Sequence, residues 1–167
     1  MSYLTILLNS AHKNSEFDCG NEQLNSYLHK QANQDIKRHL AACFVIVDDN
    51  NRIKGYYTLS IAGIDREMLP DDLKSKLPKS YNNLPVTLLG RLARDKKFAG
   101  ERLGELLLVD ALKRCYDTSS TIGSIAVVVD PIRPEAKNFY LKYGFIFLPD
   151  SNKLFMTLKT ISKLFEK

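Results

Sequence analysis

Cysteine is scarce in this chain of 167 residues, which contains only three. Cys19, Cys43 and Cys115 lie far apart and include no C-x-x-C pair. The sequence therefore predicts neither a disulfide framework nor a zinc site built on cysteine. We expect the three thiols to be reduced and mostly buried.

Histidine is equally scarce, again with three residues. His12, His29 and His39 have no cysteine, aspartate or second histidine at ligand spacing. We interpret them as surface or helix-edge residues, so metal chemistry is not indicated.

The chain also lacks a long apolar run, and its longest pieces are short ones such as "SIAVVV". A helix that spans a bilayer needs roughly 20 apolar residues. The N-terminus "MSYLTILLNSAHK" lacks the charged-then-apolar order of a signal peptide. We expect a cytoplasmic protein with no membrane partner, built as one domain over 1–167.

Positive charge is in excess, with 24 Lys and Arg against 19 Asp and Glu, a net charge of +5. This balance favours an anionic partner such as nucleic acid, a phosphorylated cofactor or an acidic protein. Charge alone does not choose among them, because many basic domains simply have a solvated basic face.

The first half of the chain has strand, helix and hairpin patterns in that order. A strand-like run over 3–8 is followed by "FDCGNEQLNSYLHKQANQDIKRHL", where apolar residues recur at helical spacing. The positions expected to face inward are Leu24, Tyr27, Leu28, Gln31, Ile36 and Leu40. "ACFVIVDDNNRIKGYYTLSIAGI" then reads as two strands around a polar turn. Gly55 within the second strand predicts a bulge or a close backbone approach.

The second half begins with a polar excursion over 65–84, broken by two prolines, in which we expect a helical turn or two near 71–77. "PVTLLGRLARD" reads as a strand and "LGELLLVDALKRC" as a helix with Leu103, Leu106, Leu107 and Leu112 inward. "GSIAVVVDP" has the continuous apolar pattern of a strand buried on both faces. "RPEAKNFYLKYG" reads as a helix, and "FIFL" and "KLFMTL" as a closing strand pair. The order predicts an α/β (α+β) domain, a mixed sheet with helices packed on it.

The stretch "KKFAGERLGELLLVDALKR" places a glycine-containing loop between a strand and a helix. That arrangement can bind phosphate, because backbone N–H groups of the loop and the first helical turn point at the anion and the helix dipole attracts it. A helix entry that merely needs a glycine turn is the alternative. The residues match neither G-x-x-x-x-G-K-[ST] nor G-x-G-x-x-G.

Taken in order, "LLGRLARDKKFAGERLGELLLVDAL", "IAVVVD" and "AKNFYLKYGFIFL" resemble the GCN5-related N-acetyltransferase (GNAT) superfamily. Ala136, Tyr140, Gly144 and Phe145 match its A-x-x-x-Y-x-x-x-G-F helix pattern. The resemblance implies the GNAT fold, with a mixed central sheet splayed between its middle strands and flanked by helices. It also implies acetyl-CoA as cofactor and Tyr140 as the general acid that protonates the departing thiolate.

The resemblance further implies the cofactor-binding positions, in the strand, the loop and the later helix. These are Leu92, Ala93, Arg94, Ala99, Gly100, Glu101, Arg102, Leu103, Gly104, Glu105 and Phe139. An N–H group near 92–94 would polarise the acetyl oxygen as an oxyanion-hole donor. The loop departs from the family's R/Q-x-x-G-x-G/A pattern, because Ala99 stands at the Arg/Gln position and Arg102 at the first glycine. Backbone donors survive such a change if the backbone angle does, and the Arg102 guanidinium could instead contact phosphate.

A narrower resemblance comes from "FDCGNEQLNSYLHKQANQDIKRHL", "GYYTLS" and "LGRLARDKKFAG", which are similar to the acetyltransferase toxins of bacterial toxin–antitoxin pairs. It implies an aminoacyl-tRNA substrate whose amino group is acetylated, a ribbon-helix-helix antitoxin as partner, and a homodimer. Basic residues would form a track for tRNA phosphates. They are Lys30, Lys37, Arg38, Arg91, Arg94, Lys96, Lys97 and Arg102.

No Asp or Glu stands out as general base. The α-amine of an aminoacyl ester is less basic than a lysine amine, so a dedicated base is not required and positioning would supply most of the catalysis. Two other readings stay open. One is an acetyltransferase for protein N-termini, lysines, polyamines or small amines, and the other is a non-catalytic acyl-CoA-fold protein that regulates a partner.

Overall fold

The computed structural model describes residues 2–166. Seven strands are present: β1 (Ile6–Leu7), β2 (Ala42–Val47), β3 (Ile53–Asp65), β4 (Asn83–Arg94), β5 (Ala126–Val129), β6 (Ile146–Phe147) and β7 (Leu154–Thr157). The α-helices are α1 (Glu22–Ser26), α2 (Ala32–Lys37), α3 (Asp71–Lys74), α4 (Leu103–Thr118), α5 (Pro134–Lys142) and α6 (Leu158–Phe165). The strand order is β1-β2-β3-β4-β5-β7-β6, with β4 and β5 parallel and the neighbouring pairs β1–β2, β2–β3, β5–β7 and β6–β7 antiparallel. The predicted mixed sheet with helices is confirmed.

The chain divides into two compact units. The first comprises the described residues through Ser60 together with Leu89–Leu112, and the second comprises Ile61–Leu88 and the residues from Lys113 onward. Strands β3 and β4 and helix α4 each contribute residues to both units.

In the first unit, the predicted amphipathic helix is interrupted by a π-helical turn, Tyr27–Gln31, between α1 and α2. The N–H group of Ala32 donates to the carbonyl of Tyr27, five residues back. The wider turn moves the inward face by one position, so Ala32 is buried where the regular spacing predicted Gln31, which is exposed. Leu40, also expected inward, lies beyond α2 and is 61% exposed.

The predicted hairpin is confirmed as β2 and β3. Its turn is fixed by the Asp48 carboxylate, which accepts from the N–H groups of Asn50 (2.8 Å) and Arg52 (3.0 Å). A register shift between Ile46 and Val47 lies opposite the Gly55 region. A Cβ at Gly55 would lie 2.8 Å from Leu107 Cδ1 and 3.1 Å from the Ala93 carbonyl oxygen. Both predictions for this glycine, the bulge and the close approach, hold.

In the second unit, an apolar cluster forms the core, with Leu84, Val86, Val128, Leu148 and Phe155 among its buried members. All four residues of β5 are buried, as the continuous apolar run predicts. The turn after α5 uses Gly144 at φ +99°, a left-handed conformation that glycine adopts without strain.

The polar excursion between β3 and β4 is organised by one side chain. The Arg66 guanidinium donates to the carbonyls of Pro78 (2.6 Å), Lys74 (2.7 Å) and Leu77 (3.0 Å). It thereby satisfies carbonyls at and beyond the end of α3, the helical turn that the sequence predicts.

One expectation about α4 is wrong, and one helix is absent from the sequence predictions. Leu106, expected on the inward face of α4, is 43% exposed, while Leu108 is buried instead. The closing strand pair is present, but the chain continues as α6, which the sequence reading missed. Thr157 caps this helix by accepting from the Thr160 N–H group (3.2 Å).

Candidate active site

The proposed cofactor loop starts at Asp95, directly after β4. This carboxylate is 3% exposed. It accepts from the N–H group of Lys97 (2.9 Å) and thereby caps the start of a 3-10 turn over Lys96–Phe98. The Asp95 N–H group donates to the Lys54 carbonyl (2.8 Å). A buried charge with these bonds holds the strand end and the loop entry in one conformation.

Two residues of the loop have left-handed backbone angles: Gly100 at φ +89° and Arg102 at φ +57°. Arg102 thus keeps a glycine-like angle at the position where the family pattern has glycine. Its guanidinium does not project freely, because Nε and a terminal nitrogen lie 2.9 and 2.7 Å from Glu105 Oε2. The side chain departs from the family pattern, while the backbone angle is one that glycine commonly adopts.

The amides at the start of α4 form a row of donors without protein acceptors. Within residues 2–166, four successive N–H groups make no hydrogen bond to the protein: those of Arg102, Leu103, Gly104 and Glu105. The hydrogen bonds of the helix begin at the Leu106 N–H group, which donates to the Arg102 carbonyl (3.1 Å). A helix N-terminus with such a row suits a phosphate group.

Two other amides of the loop are already used by the protein. The Ala99 N–H group donates to the Lys96 carbonyl (3.2 Å), and the Glu101 N–H group donates to the Phe98 carbonyl (3.3 Å). The loop is also braced from β3, because Lys54 Nζ lies 4.6 Å from the centre of the Phe98 ring and 3.8 Å from Glu101 Oε1. Donors for a ligand are therefore concentrated at 102–105.

The strand segment 92–94 lies at the end of β4. Ala93 is buried, while Leu92 and Arg94 are half-buried. The close approach of Gly55 described above brings β3 against Ala93, which fixes this end of the strand.

Tyr140 lies in the second unit, on α5, and is 7% exposed. Its ring packs between Phe139 and Phe145, with ring centres 5.3 and 5.2 Å away. Within residues 2–166 its hydroxyl makes no hydrogen bond to the protein. Burial raises the pKa of this phenol above its usual value near 10, so it is protonated at neutral pH. Phe139, half-buried, also contacts Tyr143 edge-on at 5.1 Å.

All eight basic residues of the predicted tRNA track lie in the first unit. Four are exposed and make no ion pair among residues 2–166: Lys30, Lys37, Arg38 and Lys97. Lys96 is paired with Asp18 at 2.9 Å, and Arg102 is paired with Glu105. Arg94 is half-buried. Arg91 lies on the face of Tyr27, with its Cζ 3.6 Å from the ring centre. The sequence spacing predicts that Tyr27 faces the core, but it does not predict the contact with Arg91. Two residues so far apart in the chain leave no local sequence signal of their contact.

Cysteine and histidine form no metal site: no group of three or more His, Cys, Asp or Glu residues within 2–166 could hold an ion. Cys43 and Cys115 are buried and Cys19 is half-buried, and none of the three forms a disulfide within residues 2–166. The surface interpretation is wrong for His12, which is 9% exposed and whose Nδ1 accepts from the Asn9 N–H group (3.0 Å). Desolvation lowers the pKa of this imidazole. None of the described helices is long and apolar enough to cross a membrane.

Comparison with known proteins adds three findings, although no family model matches the chain. The chain is 33% identical over 135 residues to a tRNA-acetylating toxin of Mycobacterium tuberculosis (strain ATCC 25618 / H37Rv), covering 81% of this chain and 79% of that protein. It is similar to the solved structure of AtaT complexed with acetyl-methionyl-tRNAfMet, at a TM-score of 0.89 and 27% identity over 99% of this chain and 100% of that one. It is also similar to the crystal structure of AtaTR bound with AcCoA, at a TM-score of 0.83 and 28% identity over 97% of each chain.

Proposed function

Because the chain belongs to the tRNA-acetylating toxins, which are GNAT-fold acetyltransferases of type II toxin–antitoxin systems, we propose that it acetylates the α-amino group of aminoacyl-tRNA and thereby blocks translation. The observation that carries the proposal is the row of four amides at 102–105, free of protein acceptors at the N-terminus of α4. This row can hold the pyrophosphate of acetyl-CoA.

Acetyl-CoA supplies an acetyl thioester when bound, and the chain supplies donors and positions. The amides at 102–105 bind the pyrophosphate, and an N–H group within 92–94 polarises the acetyl oxygen. The substrate amine would form the new N–C bond as the C–S bond breaks, and would release one proton to solvent. Tyr140 donates its proton to the departing sulfur and regains one from solvent.

The phenol of Tyr140 suits this role because burial keeps it protonated over the pH range in which the enzyme must work. Its hydroxyl has no protein acceptor within residues 2–166, so no competing bond must break before it donates. No carboxylate is assigned as general base, since the amine of an aminoacyl ester is partly neutral near pH 7. We propose a single acetyltransferase domain over 1–167.

The tRNA is bound by the basic residues of the first unit. Lys30, Lys37, Arg38 and Lys97 are exposed cations without a protein counter-ion in the described chain, which leaves them available to phosphates. Lys96 and Arg102 are already paired, so we assign them smaller contributions than the sequence suggested. The protein acts in the cytoplasm as a homodimer and is neutralised by a ribbon-helix-helix antitoxin.

The test is to incubate the purified protein with acetyl-CoA and charged tRNA and to analyse the aminoacyl end by mass spectrometry. N-acetylaminoacyl-tRNA is the expected product, and synthesis of the active protein without its antitoxin should arrest growth. Efficient acetylation of a lysine peptide or a polyamine, with charged tRNA untouched, would replace the proposal by that of a general amine acetyltransferase.

A further inference from the structure

Arg91 is held by stacking alone. Its Cζ lies 3.6 Å from the centre of the Tyr27 ring, a close cation–π contact. The guanidinium makes no hydrogen bond or ion pair with any residue in 2–166, although it carries five N–H donors. Arg91 is half-buried and Tyr27 beneath it is 5% exposed, so the part of the guanidinium that reaches solvent is the part not covered by the ring. The structure thus orients a planar cation and leaves its donors unused.

Tyr27 is itself fixed from two sides. Its hydroxyl donates to Asp35 Oδ2 at 2.8 Å, and both residues are buried. Its ring stacks on Tyr56 with ring centres 6.2 Å apart and an interplanar angle of 17°. The Tyr56 hydroxyl in turn donates to the Leu24 carbonyl at 2.8 Å. The π-helical turn begins at Tyr27, and such turns are frequent at functional sites.

Arg91 also stands next to the segment proposed to receive the thioester. It precedes 92–94 on β4, so at about 3.3 Å per residue it lies roughly 7 Å along the strand from Ala93. An aminoacyl ester sits on the terminal ribose of tRNA, beside the last phosphate of an unpaired end. A cation at this place can hold that phosphate while the amine reaches the acetyl group.

We propose that Tyr27 and Asp35 are positioning residues that hold the Arg91 guanidinium as a rigid fork for a phosphate of the single-stranded acceptor end of tRNA. The inference deepens the proposed function and rests on it. A planar fork binds phosphate with two parallel hydrogen bonds, and fixing it beforehand lowers the entropic cost of binding. Asp35 acts through Tyr27, and Tyr27 acts through Arg91.

The experiment compares four variants: Tyr27→Leu, Tyr27→Phe, Asp35→Asn and Arg91→Lys. KM and kcat are measured for charged tRNA and for a free aminoacyl ester that carries no phosphate, and the salt dependence of KM is recorded. The matched control is Tyr116→Leu, which removes the tyrosine near another cation, Lys113, whose Nζ lies 5.6 Å from that ring. Thermal melting identifies any variant that does not fold.

Tyr27→Leu should raise KM for charged tRNA about 3- to 30-fold with kcat unchanged, the range expected for loss of a desolvated cation–π contact. The salt slope should fall by about 0.7, the value for one single-strand phosphate. Arg91→Lys should raise KM for charged tRNA to a similar extent with a smaller change in salt slope, because a lysine keeps the charge and loses the planar fork. Tyr27→Phe and Asp35→Asn should show smaller increases in KM, while KM for the aminoacyl ester and the Tyr116→Leu control stay unchanged.

A folded Tyr27→Leu protein with unaltered KM and salt slope for charged tRNA would overturn the inference. An equal rise in KM for the free ester would also overturn it, because the effect would then not involve a phosphate. If Tyr27→Leu fails to fold, Tyr27→Phe and Asp35→Asn test the positioning role through the bond between Tyr27 and Asp35, and an unaltered KM for charged tRNA in both folded variants would overturn the inference. Failure of the unmodified protein to acetylate charged tRNA is a separate result, and it would remove the proposed function as well.

Discussion

The two units of the chain differ in the types of residue that are buried in their interiors. Among the described residues, 2–166, seven buried ones are polar or charged, and all seven belong to the first unit: Thr5, His12, Asn25, Asp35, Thr58, Asp95 and Asp110. The core cluster of the second unit is apolar throughout. Its one proposed chemical group, the Tyr140 phenol, is packed among aromatic rings.

The difference follows from what each unit must hold in place. In the first unit, buried carboxylates anchor segments that carry proposed binding groups: Asp95 accepts from the loop entry, and Asp35 accepts from Tyr27, on which Arg91 stacks. Hydrogen bonds to a charge are directional, so they set the orientation of a loop or side chain better than apolar contact does. In the second unit, apolar packing surrounds Tyr140, the proposed proton donor, and burial raises the pKa of its phenol.

The largest expected effect is on the stability of the first unit. Asp110 accepts from the Leu4 N–H group (2.7 Å), the Thr5 hydroxyl (2.5 Å) and the Tyr57 hydroxyl (2.7 Å). Asp110→Ala leaves these donors without their acceptor and should lower the free energy of unfolding by about 3 kcal/mol or more. Asp110→Asn keeps an acceptor oxygen and should cost less. Urea unfolding measures both, and a loss under about 1 kcal/mol for Asp110→Ala would show that the polar anchor is not structural.

Next in size is the loss of turnover in Tyr140→Phe. The change removes one hydroxyl without a protein partner, so the fold and the affinity for acetyl-CoA should be unaffected while kcat falls about 10²-fold. Because burial raises the pKa of Tyr140, this group should cause no decline in the wild-type rate as pH rises from 6 to 9. Steady-state kinetics and calorimetry check these points. An active Tyr140→Phe enzyme would move the donor elsewhere, to water or to Tyr143.

A smaller effect is expected at the amide row. Gly104→Pro removes one N–H donor in the first turn of α4, where proline is tolerated, and should weaken acetyl-CoA binding about 10-fold. Arg102→Gly is the matched control, since it keeps every amide and suits the positive φ, and affinity should stay within about 3-fold. Isothermal titration compares them. Equal affinity of a folded Gly104→Pro protein would place the pyrophosphate elsewhere.

The smallest expected effect is the pH-dependent contribution of Asp18, a half-buried residue in the first unit. Hydrogen bonds from Lys96 and then Asn25 hold the pKa of this carboxyl well below its ordinary value of 3.8. A depressed carboxyl pKa stabilises the fold above the unfolded value, and this contribution is lost as pH falls below it. The Tm difference between wild type and Asp18→Asn should therefore be seen at pH 7 and shrink below pH 4. A Tm difference that does not begin to shrink as pH falls below 3.8 would contradict the assignment.

Elements with local signals could be predicted from the sequence. Helix α5 carries Pro134 in its first turn and Gly144 after its end, and β5 is a continuous apolar run, so both were placed correctly. The π-helical turn could not be predicted, because one inserted residue changes the inward face without changing composition. The exposure of Leu106 depends on which elements cover α4, which is decided by the whole sheet.

The candidate site likewise has features that the sequence predicts and features that only the structure reveals. The glycine-containing loop and Tyr140 were found from spacing and resemblance, and these remain predictions about function. The left-handed angle at Arg102 shows how the loop tolerates a departure from the family pattern, which no sequence pattern reveals. The stacking of Arg91 on Tyr27 joins distant parts of the chain and appears only in the fold.

We propose aminoacyl-tRNA as the substrate of this chain. The most direct measurement is a competition in one tube, with limiting acetyl-CoA carrying a labelled acetyl group and with charged tRNA, uncharged tRNA, spermidine and a lysine peptide at equal concentration. We expect label on the α-amino group of charged tRNA alone, and the labelling rate should fall steeply as salt is added. Label on spermidine or the peptide, with charged tRNA unmodified at low salt, would contradict it.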